Sequence, residues 1–500
     1  MAQDVATGQG TGPGHHHRTF FGHPWGLATL FTTEMWERFS YYGMRALLVL
    51  YLTASPDNGG LGFSTSAATA IYSVYVSMVY LLTLPGGWVA DRVWGPRKTV
   101  AVAGGVIMIG HFLLALPATA SFFGGLVFIA LGSGLLKANI STMVGQLYEG
   151  PTDPRRDGGF TVFYMGINVG AFFAPLVIGT VGQKVNWHLG FALAGIGMGI
   201  GLIIYLFGMR TLSPQSSVVA TPLSPEERRS VLRKGLFWLA IAAVFYGIVA
   251  GTGHFTLNWA TIPLTVIGLV FPAWTLYRIK HDRDLSPLES QKMTGYIWFF
   301  VAAAIFWMIY DQGGSTLNIF AQDNTASSLA GVHFPSSWFQ SLNPLYIMAL
   351  GPVFAWLWQW LAAKQREPET ATKFSIGLVL VGLSFAVFLG ALAAASGGAK
   401  VTPLWLCAIY LIQTVGELCL SPVGLSVTTK LAPEKYGSQM MGVWFLAVTA
   451  GDCITSLATT AGADLNSRGY VAAEVALALV AAAAIMLNRG KIRSHLGEVR

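Results

Sequence analysis

Apolar residues run along this chain in long stretches separated by short polar breaks, and the stretches have the length of helices rather than strands. A helix needs about 20 apolar residues to cross hydrocarbon. Stretches that meet this need fall at 24-54, 65-92, 98-117, 121-148, 158-183, 187-209, 233-252, 259-279, 293-321, 337-363, 374-397, 401-429, 437-463 and 469-488. They predict fourteen transmembrane helices and an all-α polytopic membrane protein. Two breaks are longer and more polar than the others, TLSPQSSVVATPLSPEERRSVLRK (211-234) and YRIKHDRDLSPLESQK (277-292). They divide the pattern into six spans, two and six, so the middle pair reads as an insert between two six-helix bundles. The expected organisation is a tail at 1-23, an N-terminal bundle at 24-210, linkers carrying two extra helices at 211-292, a C-terminal bundle at 293-488 and a tail at 489-500.

Composition agrees with this pattern. Of 500 residues, 53% are hydrophobic and 11% charged, against about 25% charged in a soluble protein. Among the 30 Lys and Arg, only Lys184, Lys400 and Arg468 fall in loops on one side; Arg38, Arg45 and Lys137 lie within spans, and the remainder share the other side with both tails. The positive-inside rule therefore predicts cytoplasmic termini. The net charge of +7 resides mainly in loops facing the inner leaflet, so no nucleic-acid partner is implied. Cys407, Cys419 and Cys453 lie in apolar stretches and read as small core residues. The first residues lack the apolar run of a signal peptide and read as a solvated tail, His15 to His17 included. Gly195, Gly197, Gly199 and Gly201 follow no strand and read as helix packing; His111 reads as packing or local hydrogen bonding. There is no HExxH or Gly-x-Ser-x-Gly motif, so neither an enzyme nor a cofactor is expected.

The charges inside the spans carry the chemistry. FTTEMWERFSYYGMRALLVLYL (31-52) holds Glu34, Glu37, Arg38 and Arg45, and each charge facing lipid at a helix centre costs roughly 2.5 to 3.5 kcal/mol. Glu34, Arg38, Tyr41 and Arg45 stand at i, i+4, i+7 and i+11, one helical stripe about 16 Å long. Glu37 and Tyr42 flank it. Partners occur at matching depths in other spans: Asp311 in the ninth for Arg45, and Glu417 in the twelfth for Lys137. Each pair would join one bundle to the other, and pairs that bridge two moving halves act as gates. In transporters of the major facilitator fold the substrate sits between such halves near the midplane. The turn Gly87-Trp-Val-Ala-Asp91-Arg92-Val-Trp-Gly95-Pro-Arg97-Lys98 resembles that superfamily's inter-helix motif, with one extra residue before Gly95.

Glu34-Met-Trp-Glu37-Arg38-Phe39-Ser40-Tyr41-Tyr42-Gly43 resembles the ExxERFxYYG motif of the proton-dependent oligopeptide transporter family, also called the peptide transporter family. Phe163-Tyr164-Met-Gly-Ile167-Asn168-Val-Gly170-Ala171 is similar to its second signature. Phe306-Trp307 through Tyr310-Asp311-Gln312, Gly416-Glu417 through Ser421-Pro422 to Ser426, and Met440 through Trp444 to Leu446 resemble later ones. The resemblance covers essentially the whole chain, and the two extra spans are what bacterial members have. It implies a proton-coupled symporter that imports di- and tripeptides by alternating access, with no cofactor beyond the proton gradient. It implies proton coupling through Glu34, Glu37, Arg38 and Asp311, and gating by Arg45 with Asp311 and Lys137 with Glu417. Arg38 and Lys137 would receive the peptide carboxylate and Glu417 the ammonium. Asn168 and Asn343 would bond the amide, with Ser421 nearby, and Tyr41, Tyr42, Tyr80, Trp307 and Trp444 would line side-chain pockets. Asp311 stands where many members carry Glu, which shortens its reach. A proton-coupled transporter of another small substrate, nitrate or a peptide-like drug, is the alternative; Glu417 disfavours an anion. The lack of a large extracellular domain between spans eleven and twelve points to a bacterial inner membrane. Peptides, protons and the lipid bilayer are the expected partners of a monomer.

Overall fold

The structure, a computed structural model, describes residues 19–149 and 153–496; His15 to His17 lie outside the described residues. Among the described residues fourteen long helices follow one another: α1 Gly26–Thr53, α2 Thr65–Trp94, α3 Pro96–Leu114, α4 Thr119–Gly145, α5 Arg156–Lys184, α6 Trp187–Thr211, α7 Pro225–Gly251, α8 Asn258–Lys280, α9 Pro287–Asp323, α10 Ser336–Ala363, α11 Thr370–Ala395, α12 Leu404–Leu431, α13 Gly437–Thr460 and α14 Arg468–Leu487. A short helix, α15 (Arg489–Leu496), ends the described chain. Thirteen of the long helices are long and apolar enough to cross a bilayer, and the fourteenth, α1, carries Glu34, Glu37, Arg38 and Arg45. The fold is an all-α, multi-pass membrane architecture of two six-helix bundles, α1–α6 and α9–α14. Their buried apolar side chains form separate cores, in residues 27–212, with Ile319 of α9 reaching in, and in residues 276–496.

Helix starts differ most from the apolar stretches in two places. α7 begins at Pro225 rather than 233, and α9 at Pro287 rather than 293. In each case a capping box, Ser224 with Glu227 and Ser286 with Glu289, precedes the apolar run and has proline at the first helical position. Hydropathy marks the depth of hydrocarbon, whereas the cap marks where the helix begins. The extra residue before Gly95 is absorbed in a π-helical turn over Ala90–Trp94, closed by Gly95 N–H donating to Ala90 O at 2.9 Å. Gly95 itself has φ +76°, a conformation that favours glycine. Beyond it, Arg97 donates to Leu212 O, Ser213 O and Ser216 Oγ at 3.1, 2.9 and 3.0 Å, tying the connector to α3.

The charged helix α1 is packed into its bundle. Gly197 and Gly201 of α6 receive Phe39 and Trp36, and Gly166 of α5 lies against Phe31. At Gly170 the approach is closest: a Cβ there would come within 2.1 Å of Met35 O. Glu34, Glu37 and Arg38 are consequently buried in protein, away from lipid. The accessory helices behave differently from each other. α7 buries only Val249. α8 packs on α13 through Thr265 and Ser456, whose hydroxyls are 2.9 Å apart, beside the point where Ser77 of α2 meets Cys453 at 2.9 Å. α8 thus lies along the seam between the bundles. In α3, His111 is fully buried and neither ring nitrogen is hydrogen-bonded, which leaves packing as its role.

Candidate functional site

Arg38 forms the centre of a cluster in α1. Its Nε lies 3.0 Å from Glu34 Oε1 and 2.5 Å from Glu37 Oε2. The three side chains are buried, yet Arg38 Nη2, Glu34 Oε2 and both Glu37 oxygens lack an aligned hydrogen-bond partner. One guanidinium therefore serves two carboxylates and keeps a donor free. Tyr41 lies under the guanidinium at 5.3 Å, stacked near Tyr75 and edge-on to Tyr42.

Two turns further along α1, Arg45 reaches across to the other bundle. Its Nη2 is 2.9 Å from Asp311 Oδ1, and its Nε donates to Tyr72 OH of α2 at 2.5 Å. Asp311 begins a 3-10 turn, Asp311–Gly314, that interrupts α9. The interruption frees Gly313 O to accept from Tyr410 OH and Gln340 Nε2 at 2.9 and 2.6 Å. More bonds cross toward the face opposite the start of α1, called distal below. Asn318 Nδ2 donates to Ala46 O at 2.9 Å, and Ser341 Oγ to Phe172 O at 2.8 Å. Trp338 Nε1 donates to Thr180 Oγ1 at 2.8 Å, and Gln183 Nε2 to Gln322 Oε1 at 2.9 Å and Ser336 Oγ at 2.8 Å. On the half where α1 begins, no hydrogen bond or ion pair among the described residues joins α4 or α5 to α10 or α12. The hydrogen bonds that join these helices across the bundles thus lie distally.

The structure does not bring Lys137 and Glu417 together. Lys137 Nζ stands over the Tyr80 ring at 3.6 Å, with Phe445 at 5.7 Å, and faces the charges of Arg38, Glu37 and Glu34. Glu417 Oε2 accepts from Tyr310 OH at 2.6 Å and Asn343 Nδ2 at 3.0 Å. Equal depth along two helices does not fix lateral distance, and an aromatic face claimed the ammonium first. Tyr42 of α1 and Tyr164 of α5 come into electrostatic range of Glu417 from the opposite bundle.

Other expected site residues divide between half-buried positions and the core. Tyr80 stacks on Phe445 at 5.9 Å, Trp307 sits edge-on to Tyr310 at 5.0 Å, and Trp307 Nε1 and Ser421 Oγ are unpartnered. Asn168 is buried and donates to Tyr164 O of its own helix at 3.0 Å. Trp444 is a correction: only 3% exposed, it packs on Gly424 and edge-on to Phe374 inside the C-terminal core, so it lines no cavity. Tyr41, 2% exposed, is likewise enclosed. Residues that sequence reasoning missed are Tyr72, Tyr310, Phe445 and the buried acids Asp452 and Glu474. The signal for the last two was an acidic residue within an apolar span.

The geometry can be set beside known proteins. The model of the POT family (PTR2) matches residues 97–472. The chain belongs to the POT family. It is 46% identical over 439 residues to an uncharacterized transporter, YclF, of Bacillus subtilis (strain 168), covering 87% of this chain and 88% of that protein. A di-/tripeptide transporter of Lactococcus lactis subsp. cremoris is 40% identical over 495 residues, covering 97% and 98%. A peptide transporter POT crystallised in complex with sulfate superposes with a TM-score of 0.91 at 42% identity, covering 96% of this chain and 97% of that one. In this POT protein the signature stretches lie in α1 and α5 of one bundle and in α9, α12 and α13 of the other.

Proposed function

We propose that the protein is a proton-coupled symporter that imports di- and tripeptides by alternating access. The observation that carries this reading is the opposition of free cationic donors in one bundle, Arg38 Nη2 and the Lys137 ammonium, to Glu417 in the other. A di- or tripeptide is a zwitterion whose ends lie roughly 7 to 10 Å apart, from about 3.3 to 3.6 Å per residue. Its carboxylate would approach Arg38 and Lys137, and its ammonium would replace Tyr310 or Asn343 at Glu417. Tyr42, Tyr80 and Trp307 would offer apolar surface with polar edges, which suits side chains of many kinds. A small anion such as nitrate gains nothing from Glu417 and is the weaker reading.

Proton coupling follows from the shared guanidinium. A substrate carboxylate arriving at Arg38 competes with Glu34 and Glu37, and a buried carboxylate that loses its cation takes up a proton. Arg45 and Asp311 would form the outer gate, with the basic face of the bundles cytoplasmic in a cell inner membrane. The test is labelled-dipeptide uptake into proteoliposomes under an imposed pH gradient. Glu37→Gln should abolish gradient-driven accumulation while retaining peptide exchange. Accumulation by Glu37→Gln equal to the parent's would remove Glu37 from coupling, and no accumulation by the parent would leave a peptide-binding sensor.

A further inference from the structure

Asp452 of α13 is 2% exposed and its Oδ2 has no hydrogen-bond partner. It is held in place by its neighbours on α13. Gly451 packs on the α9 backbone, where a Cβ would come within 2.5 Å of Ala304 O and 2.8 Å of Met308 N, and Thr455 Oγ1 lies 3.4 Å from Met308 O. Cys453 is fixed on Ser77 of α2 at 2.9 Å. The charged groups that face Asp452 are Asp311 of α9 and Arg45 of α1, and Tyr72 of α2 faces it also. From α8 comes the hydroxyl of Thr265, bonded to Ser456.

Arg45 is the cation that faces both buried carboxylates; Lys137, seated on Tyr80, lies in electrostatic range of Asp311 but not of Asp452. Arg45 spends Nη2 on Asp311 Oδ1 and Nε on Tyr72 OH, and Asp311 Oδ2 is itself unpartnered. A second ionised carboxylate beside Asp311 would lack a partner in low dielectric, a cost that buried groups escape by holding a proton. We infer that Asp452 is a proton-carrying carboxyl of the distal gate, so that Asp311, Asp452 and Arg45 together hold one proton and no net charge. Transfer of the Asp452 proton to Asp311 frees Arg45 from Asp311 and leaves Asp452 as the carboxylate partner of the guanidinium. The charge count of the cluster stays constant while the ion pair moves from α9 to α13. This rests on the reading of Arg45 and Asp311 as a gate, but its test does not use transport.

Asp311 and Asp452 are the only fully buried aspartates among the described residues. Infrared spectra of the purified protein in lipid near neutral pH, with and without isotope-labelled aspartate, therefore report on this pair. One label-shifted carbonyl stretch of a protonated carboxyl is expected, absent from Asp452→Asn. In an Asp311→Asn background, comparison with the double variant Asp311→Asn/Asp452→Asn should show Asp452 as carboxylate without the acid band. The inference is overturned if the labelled wild type shows no protonated aspartate, or if Asp452→Asn retains the band. The labelled wild type decides the first point even if a variant fails to fold. Failure of peptide uptake, by contrast, would leave these spectra unchanged.

Discussion

Arg45 and Asp311, 266 residues apart in sequence, meet at 2.9 Å as the charged bond among several that latch the two bundles distally. Both side chains are mostly withdrawn from solvent, 12% and 5% exposed. Removing one partner of such a pair typically costs about 3 to 5 kcal/mol, a loss that an ionised Asp452 would offset only in part because Asp311 is the residue bonded to Arg45 in the latched state. Asp311→Asn should therefore disfavour the latched state and raise the reactivity of single cysteines placed at Ser315 or Ile319, both buried here. Labelling rates equal to those in the parent background would show that the pair is no gate.

The second signature, Phe163 to Ala171, has a packing reason visible at Gly170. α5 crosses α1 so closely that a methyl group at 170 would press on Met35 O, a backbone atom that cannot rotate away. Overpacking of this kind costs typically about 1 to 3 kcal/mol. Gly170→Ala should lower the thermal midpoint of the purified protein, and Gly105→Ala, where nothing lies within 4 Å, should not. Equal midpoints for the two variants would contradict the close crossing.

The span pattern was legible because hydrocarbon thickness imposes a length on every helix, and Asp311 was reachable because depth along a helix can be counted from its ends. Lateral position could not be counted. Lys137 and Glu417 share a depth, but packing turned the ammonium onto Tyr80 and gave Glu417 to Tyr310 and Asn343. Trp444 sits in a signature and still belongs to the core, because its face of α13 meets Gly424. Asp452 and Glu474 broke apolar runs as Asp311 does, yet each depends on a neighbour in another helix. Glu474, for instance, accepts from Gln312 Nε2 at 2.5 Å, a contact made by the break in α9.

A clamp on the face where α1 begins should be indifferent to the pH range of transport. Lys435 Nζ lies 2.7 Å from both Asp282 Oδ2 and Asp284 Oδ2, and Tyr436 OH donates to Asp282. The Lys435 hydrogen bond, with help from Tyr436, holds the Asp282 carboxyl well below the usual carboxylate range, and Asp282 pushes Lys435 upward. The Asp282 contribution is thus complete above the unfolded value of about 3.9 and is lost only as pH falls through the lower folded value. That of Lys435 is complete below about 10.4 and is lost as pH rises beyond it. Between about pH 5 and 9 neither group changes state. Asp282→Asn should leave the shape of the uptake pH profile unchanged, whereas Glu37→Gln should flatten it. A displaced profile in Asp282→Asn would show that the clamp titrates during the cycle.

The substrate clamp is tested by chemistry at the two ends of the peptide. If Glu417 receives the ammonium group and Arg38 with Lys137 the carboxylate, blocking either end leaves a buried charge unpaired. Such a loss costs about 2 to 5 kcal/mol, roughly 30-fold or more in affinity. N-acetylated and C-amidated dipeptides should both compete poorly with a free one. Glu417→Gln should lose most of the preference for a free amino terminus, because its amide still bonds Tyr310 and Asn343 but no longer attracts a cation. Lys137→Gln should lose mainly the preference for a free carboxylate. Because Lys137 rests on Tyr80 and not on Glu417, neither substitution removes a partner of the other residue in the empty protein. Competition binding at equilibrium separates these effects from turnover. Should Glu417→Gln reject N-acetylated dipeptide as strongly as the parent, the peptide lies the other way round or Glu417 does not touch it.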